Sequence, residues 1–319
     1  MIIVTGSHGF IGSNLIRQLN KQGIKEILAV DYEPSEEKFS NLIHCEISDF
    51  MDAKDFYSKL REGYLNKKKV STIFHQGACS DTMEWDAHYI LKNNYLYSKV
   101  LLNFAEKKGI PFIYASSASV YGTGNSFSEE RKNEKPINLY AYSKYLFDIH
   151  AEKKILKNKN QIVGLRYFNV YGPNESHKKI MASVAHHLHH QLKTGDTVKL
   201  FGRYDGFKEG EQKRDFVYID DVIKVNLWFK EQNQISGIFN VGTGTGETFR
   251  KVAESVIEWN GRGSIEFIPF PKDLKGSYQS FTQANIDKLR ETGYKGEFIG
   301  VKEGIKSYLD SLERWPSNE

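Results

Sequence analysis

The chain has 319 residues, of which 26% are charged and 39% hydrophobic, and its formal net charge is +4. This composition is typical of a soluble globular protein, and so small a charge does not favour nucleic acid as a partner. Two cysteines provide no disulfide framework, and no stretch approaches the roughly 20 apolar residues that a membrane span needs. We expect no secretory leader, because no basic region precedes the first apolar run. We therefore expect a cytoplasmic protein without a membrane partner.

The first 31 residues carry the pattern of a dinucleotide-binding unit. Residues 2–5 predict a buried strand and residues 11–21 an amphipathic helix, with a glycine-rich loop between them. In such a loop one glycine permits the tight turn, another lets backbone amides approach a pyrophosphate, and a third allows close helix–strand packing. A second strand, 27–30, leads to Asp31, at the distance from the loop where such folds contact a ribose. The loop glycines are Gly6, Gly9 and Gly12.

Strands and helices continue to alternate over about 170 residues, which predicts an α/β fold with a Rossmann-type doubly wound parallel sheet. Ligands of such sheets bind at the carboxyl ends of the strands, so the polar residues that follow the strands should converge on one edge. The predicted strands are 42–47, 72–75, 112–115 and 162–166, and the predicted helices are 53–62, 85–107 and the one that carries Tyr140.

The second half is less regular. Gly172-Pro173 interrupts the alternation, and residues 202–213 are glycine-rich and charged, which predicts an exposed loop. We expect residues 1–170, with a return at about 216–242, to form the dinucleotide-binding Rossmann domain. Residues 171–215 and 243–319 should form a smaller mixed α/β substrate-binding domain. The predicted elements here are helices at 179–192, from 219, at 248–259 and at 301–312, and a strand at 238–242.

Tyr140 and Lys144 are one turn apart if they lie on a helix, and so share a face. A phenol with a pKa of about 10 exchanges protons poorly near neutral pH, and a nearby ammonium should lower that pKa. Ser117 follows the strand at 112–115 and could bond a substrate oxygen and share a proton with Tyr140. The alternatives are an ordinary aromatic–lysine pair on a helix and a serine that satisfies a backbone group in a turn.

Four segments together resemble the extended short-chain dehydrogenase/reductase family that modifies nucleotide sugars. They are Thr5-Gly6-x-x-Gly9-Phe10-Ile11-Gly12, Ser116-Ser117-Ala118, Tyr140-x-x-x-Lys144 and Arg214-Asp215-Phe216-Val217-Tyr218. Further segments narrow the resemblance to the ADP-heptose 6-epimerases, and the similarity covers essentially the whole chain. These segments are 77–80 with 84–86, 166–173, 177–178 with 181–185, and 274–279 with 281–283.

The resemblance implies an isomerase that needs no net oxidant. A bound NADP, or alternatively NAD, would take hydride from C6 of ADP-heptose and return it to the other face of the transient ketone. By resemblance, Tyr140 and Lys178 are the acid/base groups, Lys144 orients the nicotinamide ribose and tunes Tyr140, and Ser117 holds the reacting oxygen. Lys178 has an alternative interpretation as a solvated lysine beside Lys179. The resemblance also implies a product used in the lipopolysaccharide inner core and a homo-oligomer, commonly a pentamer.

Other roles also follow only from the resemblance. Arg214 would grip the diphosphate, because a guanidinium binds phosphate with two parallel hydrogen bonds; the alternative is a salt bridge to Asp215. Four histidines on one predicted helix, 179–192, suggest a metal, but no nearby cysteine or carboxylate completes a site, so no metal is expected. The predicted cofactor contacts are Gly6, Gly9, Phe10, Ile11, Gly12, Asp31, Tyr32, Lys38, Gln76, Gly77, Ala78, Cys79, Ser80, Asn93, Lys144 and Val170. The predicted substrate contacts are Asn169, His187, Phe201, Arg214 and Tyr278.

Several positions depart from the family pattern. His8 stands in the glycine loop where a small residue is usual, and Ala53 and Ile180 replace a lysine and a serine. Asp31 favours a free 2′-hydroxyl and hence NAD, whereas Lys38 could offset a 2′-phosphate. Two rival functions stay open, namely an epimerase or dehydratase acting on a GDP- or dTDP-linked sugar and a non-catalytic dinucleotide sensor. A sensor would need none of the proton-transfer residues.

Overall fold

The computed structural model describes residues 1–32, 34–157, 160–276 and 278–314, with the side chains of residues 36, 66, 67 and 273 excluded. In chain order the strands are β1 (Ile2–Thr5), β2 (Ile27–Asp31), β3 (Asp49–Asp52), β4 (Thr72–His75), β5 (Phe112–Ser117), β6 (Ile162–Tyr167), β7 (Asn169–Tyr171), β8 (Thr197–Phe201), β9 (Lys213–Arg214), β10 (Phe216–Tyr218), β11 (Gly237–Val241), β12 (Glu247–Thr248) and β13 (Ser264–Ile268). The α-helices are α1 (Phe10–Lys21), α2 (Glu36–Phe39), α3 (Ala53–Glu62), α4 (Ala87–Ile90), α5 (Tyr97–Lys108), α6 (Leu139–Ile155), α7 (Val184–Thr194), α8 (Ile219–Glu231), α9 (Phe249–Asn260), α10 (Asp287–Glu291) and α11 (Val301–Arg314).

A seven-stranded sheet runs in the order β11-β6-β5-β4-β1-β2-β3. The pairs β1–β2, β1–β4, β2–β3 and β4–β5 are parallel, and Ile3 lies opposite both Leu28 and Ile73. These three side chains are fully buried and share a core with Phe56 of α3 and Leu101 of α5. Burial on both faces explains why the central strands read as continuous apolar runs. The predicted Rossmann-type doubly wound fold is confirmed.

The strand predicted at 42–47 is wrong. The chain there forms a 3₁₀ turn, Ser40–Leu42, and the strand that pairs with β2 is β3, with Leu28 opposite Asp49. Of the four residues of β3 only Met51 is buried. An edge strand with one buried side chain lacks the apolar run on which the prediction depended.

Two predicted helices begin later than expected. The helix predicted from residue 85 begins at Ala87 and contains a π-helical segment, Leu91–Leu96, between α4 and α5. The helix predicted from residue 179 is α7, which begins at Val184 with Ser183 as its N-cap. A 3₁₀ helix, Ser176–Met181, precedes it and contains a non-helical residue, Lys179. Hydrophobic periodicity does not distinguish these helix types, so the interruptions could not be predicted.

The chain forms two compact units. The first comprises Met1–Val120, Asn138–Arg166 and Ile223–Phe239, and the second comprises Tyr121–Ile137, Tyr167–Val222 and Asn240–Glu319. The functional domain boundaries at about 170, 216 and 242 stay a prediction.

Smaller sheets organise the second unit. β7 pairs with β10 and β8 with β13, both in parallel, and β9 pairs with β12 in the antiparallel direction. Helix α9 packs against both α7 and α11. Among the helices of the described residues, none is long and apolar enough to cross a membrane.

Candidate functional site

The glycine loop of the first unit packs directly on a neighbouring strand end. Gly6 has φ +66°, and a Cβ added there would lie 2.6 Å from the backbone of Gly77. A Cβ on Gly12 would lie 2.0 Å from the carbonyl oxygen of Gly6. Gly9 is the N-cap of α1 and provides no side-chain acceptor, and the first turn holds no acidic residue. The first-turn N–H groups, those of Phe10 and Ile11 included, therefore suit an anion such as a pyrophosphate.

Asp31 is held in a fixed orientation at the end of β2. Its carboxylate accepts hydrogen bonds from the backbone N–H groups of His8 and Tyr32, each at 2.9 Å. Asp52, at the end of β3, is its direct cross-strand partner. The Tyr32 hydroxyl donates to Oδ1 of Asn93 at 2.5 Å. This part of the first unit is therefore rich in carboxylate and amide oxygens, which suit a ribose hydroxyl.

Two side chains that can carry positive charge, His8 and Lys38, belong to this part of the first unit. Burial lowers the pKa of His8, the negative charge of Asp31 raises it, and Lys38 lowers it. Lys38 lies on the short helix α2, and its charge acts on the same loop. Ala53, at the start of α3, carries no charge that could face a phosphate. Of the two expected phosphate-binding lysine positions, 38 and 53, only position 38 carries a lysine.

A directed chain of hydrogen bonds supports the end of β4. The Ser98 hydroxyl donates to the carbonyl of Asn94 at 2.6 Å, so it accepts from Nε2 of His75 at 2.7 Å. Nδ1 of His75 must then accept from the Thr5 hydroxyl at 2.7 Å, and Thr5 Oγ1 accepts from the N–H of Gly77 at 3.2 Å. Burial lowers the pKa of His75 to about 3, so the ring is neutral, as this chain of bonds requires.

Asn94 fixes the loop that follows β4, and the sequence analysis missed it. Its side chain accepts from the N–H of Cys79 at 2.8 Å and donates to the carbonyl of Cys79 at 2.9 Å. Asn94 is 1% exposed, whereas the predicted contact Asn93 is partly exposed. In the same loop Gln76 donates to Asn226 at 3.1 Å. Ala78 is partly buried and Ser80 is exposed.

The structure brings together the three catalytic residues predicted in the first unit, Ser117, Tyr140 and Lys144. The Ser117 side chain acts on the Tyr140 hydroxyl and lowers its pKa, so the two hydroxyls lie close together. Nζ of Lys144 lies 5.9 Å from the centre of the Tyr140 ring and donates to the carbonyl of Ala115 at 2.8 Å. β1 pairs with β2 and β4, and β4 pairs with β5, so Ser117 and the glycine loop stand at the same edge of the sheet. The expected convergence on one edge is therefore found.

The expected effect of Lys144 on Tyr140 is wrong for this structure. Burial raises the pKa of Tyr140 and the bond to Ser117 opposes that rise, while the Cys79 thiol adds to it. The ammonium of Lys144 is bonded to a carbonyl rather than to the phenol. Burial also lowers the pKa of Lys144 to about 8, against the charge of Asp148. The cost of desolvation, which disfavours both charged forms, thus decides the two shifts.

Asp148 is a further buried group that the sequence analysis missed. Its carboxylate accepts from Tyr114 at 3.0 Å, from Ser116 at 2.9 Å and from Nε of Arg166 at 2.9 Å. Arg166 and Asp148 are 1% and 0% exposed. Asp148 follows Lys144 by four residues, so continuing the Tyr140–Lys144 spacing by one turn would have found it.

Lys178, in the second unit, is not a solvated lysine. Its side chain is 21% exposed, and Nζ lies 4.0 Å from Oε2 of the fully buried Glu175. Burial lowers the pKa of Lys178, and the charge of Glu175 raises it. Its neighbour Lys179 is the exposed residue. A partly desolvated amine can exchange protons closer to neutral pH than an ordinary lysine.

Arg214 in the second unit lies among aromatic rings. Its guanidinium is 4.7 Å from the centre of the Tyr278 ring and 5.6 Å from that of Phe249, and Phe201 packs edge-on against Tyr278. The alternative of a salt bridge to Asp215 is wrong. The Asp215 carboxylate accepts instead from the N–H groups of residues 243, 244 and 284 and from a threonine hydroxyl, at 2.7–3.0 Å.

The other predicted residues of the second unit lie on β7 and α7. Asn169 and Val170 lie on β7, opposite Phe216 and Val217. Nε2 of His187 is 3.4 Å from the carbonyl of Ile180, whose side chain is 80% exposed. Within the described parts of the chain, no group of three or more histidine, cysteine or acidic side chains could hold a metal ion.

Comparisons with known proteins cover most or nearly all of the chain. A model of the NAD dependent epimerase/dehydratase family matches residues 2–242. The ADP-L-glycero-D-manno-heptose-6-epimerase of Helicobacter pylori is 34% identical over 98% of this chain and 96% of its own, with a TM-score of 0.85. The UDP-glucose 4-epimerase of Thermotoga maritima is 26% identical over 99% of both chains, with a TM-score of 0.83. The UDP-glucose 4-epimerase of Thermus thermophilus, solved with NAD, is 25% identical over 98% of both chains, with a TM-score of 0.79.

Proposed function

The chain belongs to the NAD dependent epimerase/dehydratase family, and on that premise we propose that it converts ADP-D-glycero-D-manno-heptose into ADP-L-glycero-D-manno-heptose. The similarity to the Helicobacter pylori enzyme supports this substrate. The observation that carries an enzymatic function is the hydroxyl pair of Tyr140 and Ser117 with Lys144 one turn away. A non-catalytic sensor has no use for this arrangement. The product would supply the inner core of lipopolysaccharide.

A nicotinamide dinucleotide would accept hydride from C6 and return it. Its pyrophosphate would bind the first-turn N–H groups of α1, and its adenosine ribose would bind Asp31. The resemblance implies NADP, with NAD as the alternative, and we propose that NAD is preferred here. Asp31 and Asp52 would both repel a 2′-phosphate, and Ala53 offers no charge to it. Mass spectrometry of the dinucleotide released on denaturation distinguishes NAD from NADP.

Inversion at a carbinol carbon needs a proton group for each orientation of the hydroxyl. We propose Tyr140 for one orientation and Lys178 for the other. The raised pKa of Tyr140 suits a proton donor to the ketone oxygen, and the lowered pKa of Lys178 suits a proton acceptor. In the reverse reaction the two roles exchange. Ser117, whose side chain lies close to the Tyr140 hydroxyl, would hold the reacting oxygen by a hydrogen bond.

The nucleotide end of the substrate would bind in the second unit. A guanidinium stacked on Tyr278 is fixed in orientation and can bind phosphate oxygens with two parallel hydrogen bonds, which fits Arg214 to the ADP diphosphate. The aromatic rings of Phe201 and Tyr278 suit the base. Asn169 and His187 stay predicted substrate contacts, and Val170 stays a predicted cofactor contact. The cytoplasmic location and the homo-oligomer also stay predictions.

The substrate assignment is tested with the purified protein and no added cofactor. We expect ¹H NMR to show conversion of ADP-D-glycero-D-manno-heptose into its C6 epimer. The control reactions contain UDP-glucose, a GDP-linked sugar and a dTDP-linked sugar at the same concentration. If one of these sugars alone is converted, that nucleotide sugar and not ADP-heptose is the substrate. Bound dinucleotide with turnover of none would favour a sensor.

A further inference from the structure

Glu175 ties together the two ends of the chain segment that carries Lys178. We name residues 172–183 the lysine segment. Near its start, the Glu175 carboxylate accepts from the N–H of Gly172 at 3.3 Å. Near its end, the same carboxylate accepts from the N–H of Ser183 at 2.6 Å and from the Ser183 hydroxyl at 2.7 Å. Glu175 is 1% exposed. A buried carboxylate with three donors from both ends closes the segment into a loop.

The backbone between these ties adopts conformations that ordinary residues avoid. Asn174 has φ +72°, and Lys179 has φ +50° with ψ −122°. Such conformations persist only where the surrounding structure fixes them, and they are concentrated at functional sites. Lys178 lies directly before one of these residues, and its N–H donates to the carbonyl of Glu175 at 2.9 Å. Glu175 therefore fixes the backbone from which the lysine side chain extends.

The same carboxylate also lies close to the lysine ammonium. Oε2 of Glu175 is 4.0 Å from Nζ of Lys178, and the lysine side chain is mostly buried. His177 and Lys179 adjoin Lys178 along the chain, and His187 of α7 approaches the lysine segment through the carbonyl of Ile180 at 3.4 Å. Among these groups, Glu175 is the charge that acts on Lys178, and it favours the charged amine.

We infer that Glu175 is the positioning residue of Lys178: it fixes the bend of the lysine segment and holds the ammonium beside its own carboxylate. The role of Lys178 in proton transfer rests on the proposed function. The placement of Lys178 by Glu175 does not rest on the proposed function, because it follows from the hydrogen bonds and the ion-pair distance alone. The two statements can therefore fail separately.

The test removes the negative charge of Glu175 and keeps the shape of the side chain. Glu175→Gln keeps an acceptor for the Ser183 N–H, and Ser183 Oγ can accept from the new amide. The pKa of Lys178 is read directly from its rate of acetylation by acetic anhydride at a series of pH values, quantified by mass spectrometry. Without the neighbouring negative charge we expect the titration midpoint of Lys178 to fall by about one unit. An unchanged midpoint would overturn the inference.

Glu134→Gln is the matched control. Glu134 is a buried carboxylate of the second unit that is paired with Arg131, outside the lysine segment. This variant should leave the midpoint of Lys178 unchanged, and an equal fall in both variants would overturn the inference. If Glu175→Gln fails to fold, Ser183→Ala removes one of the three donors and keeps the charge. Because this change loosens one end of the lysine segment, we expect Lys178 to be more accessible and to be acetylated several-fold faster at a fixed pH. An unchanged rate would count against the role of Glu175.

Steady-state kinetics test whether the placement of Lys178 by Glu175 affects turnover. In Glu175→Gln we expect kcat for ADP-heptose to fall about 10-fold with little change in KM, since the substrate itself keeps its contacts. Adding Glu175→Gln to Lys178→Met should cause no further loss, because both act through one group. A further loss in the double variant would contradict a role through Lys178. A shifted midpoint without turnover of any nucleotide sugar would support the placement and reject the proposed function.

Discussion

In Lys144 of the first unit and Lys178 of the second, the same two influences act on the lysine pKa in different structural settings. Lys144 lies in the regular helix α6, donates to the Ala115 carbonyl at 2.8 Å and has Asp148 one turn further on. Lys178 lies in an irregular segment and stands 4.0 Å from Glu175. In both, burial lowers the pKa and a nearby carboxylate opposes the shift. A regular helix and an irregular segment can thus each lower the pKa of a lysine.

The largest expected effect comes from removing the two proposed acid/base groups. Tyr140→Phe and Lys178→Met should each reduce epimerisation about 10³-fold, because a positioned acid or base contributes about 10²–10⁴-fold. NMR of the sugar after a fixed time measures the loss. Tyr142→Phe and Lys179→Met are matched controls at exposed neighbouring residues and should retain activity. Full activity in Tyr140→Phe or Lys178→Met would remove that residue from the proposed mechanism.

A smaller effect is expected at the proposed diphosphate contact. Arg214→Lys keeps the charge but loses the planar fork and the stacking on Tyr278, so KM should rise about 10- to 100-fold with little change in kcat. Steady-state kinetics with ADP-heptose measure both constants. Arg250→Lys is the control, since Arg250 also lies over an aromatic ring, 4.9 Å from the centre of Phe267, but was not predicted to bind substrate. Equal KM values in the two variants would reject the diphosphate contact.

The smallest effect concerns stability and pH. The pKa of Lys144 falls from its ordinary 10.5 to about 8 in the folded protein. The unfolded chain therefore binds more protons between these values, and stability should rise with pH from about 8 to 10.5, by at most roughly 3 kcal/mol. Lys144→Met should lack this rise. Urea unfolding at several pH values, after removal of bound dinucleotide from both proteins, measures it. Parallel pH curves for the two proteins would contradict the shift.

The sequence predicted the first unit better than the second. The Tyr140–Lys144 pair follows from helical spacing, and Ser117 from its place at a strand end, so local patterns locate both. The family resemblance is also confirmed. Asn94 was missed because the π-helical segment Leu91–Leu96 determines that Asn94, and not Asn93, is buried. Glu175 was missed because its role depends on left-handed backbone at Asn174 and Lys179, which are not glycines. No periodic pattern encodes such a bend, and Lys178 was found through the resemblance alone.

The most direct test of the account follows the hydride. ADP-D-glycero-D-manno-heptose carrying deuterium at C6 is incubated with the protein as purified, without added dinucleotide, and the C6 epimer is analysed by NMR and mass spectrometry. The account predicts conversion with the deuterium kept at C6, because the same hydride leaves and returns. Conversion with loss of the deuterium to solvent, or no conversion while another nucleotide sugar reacts, would contradict it.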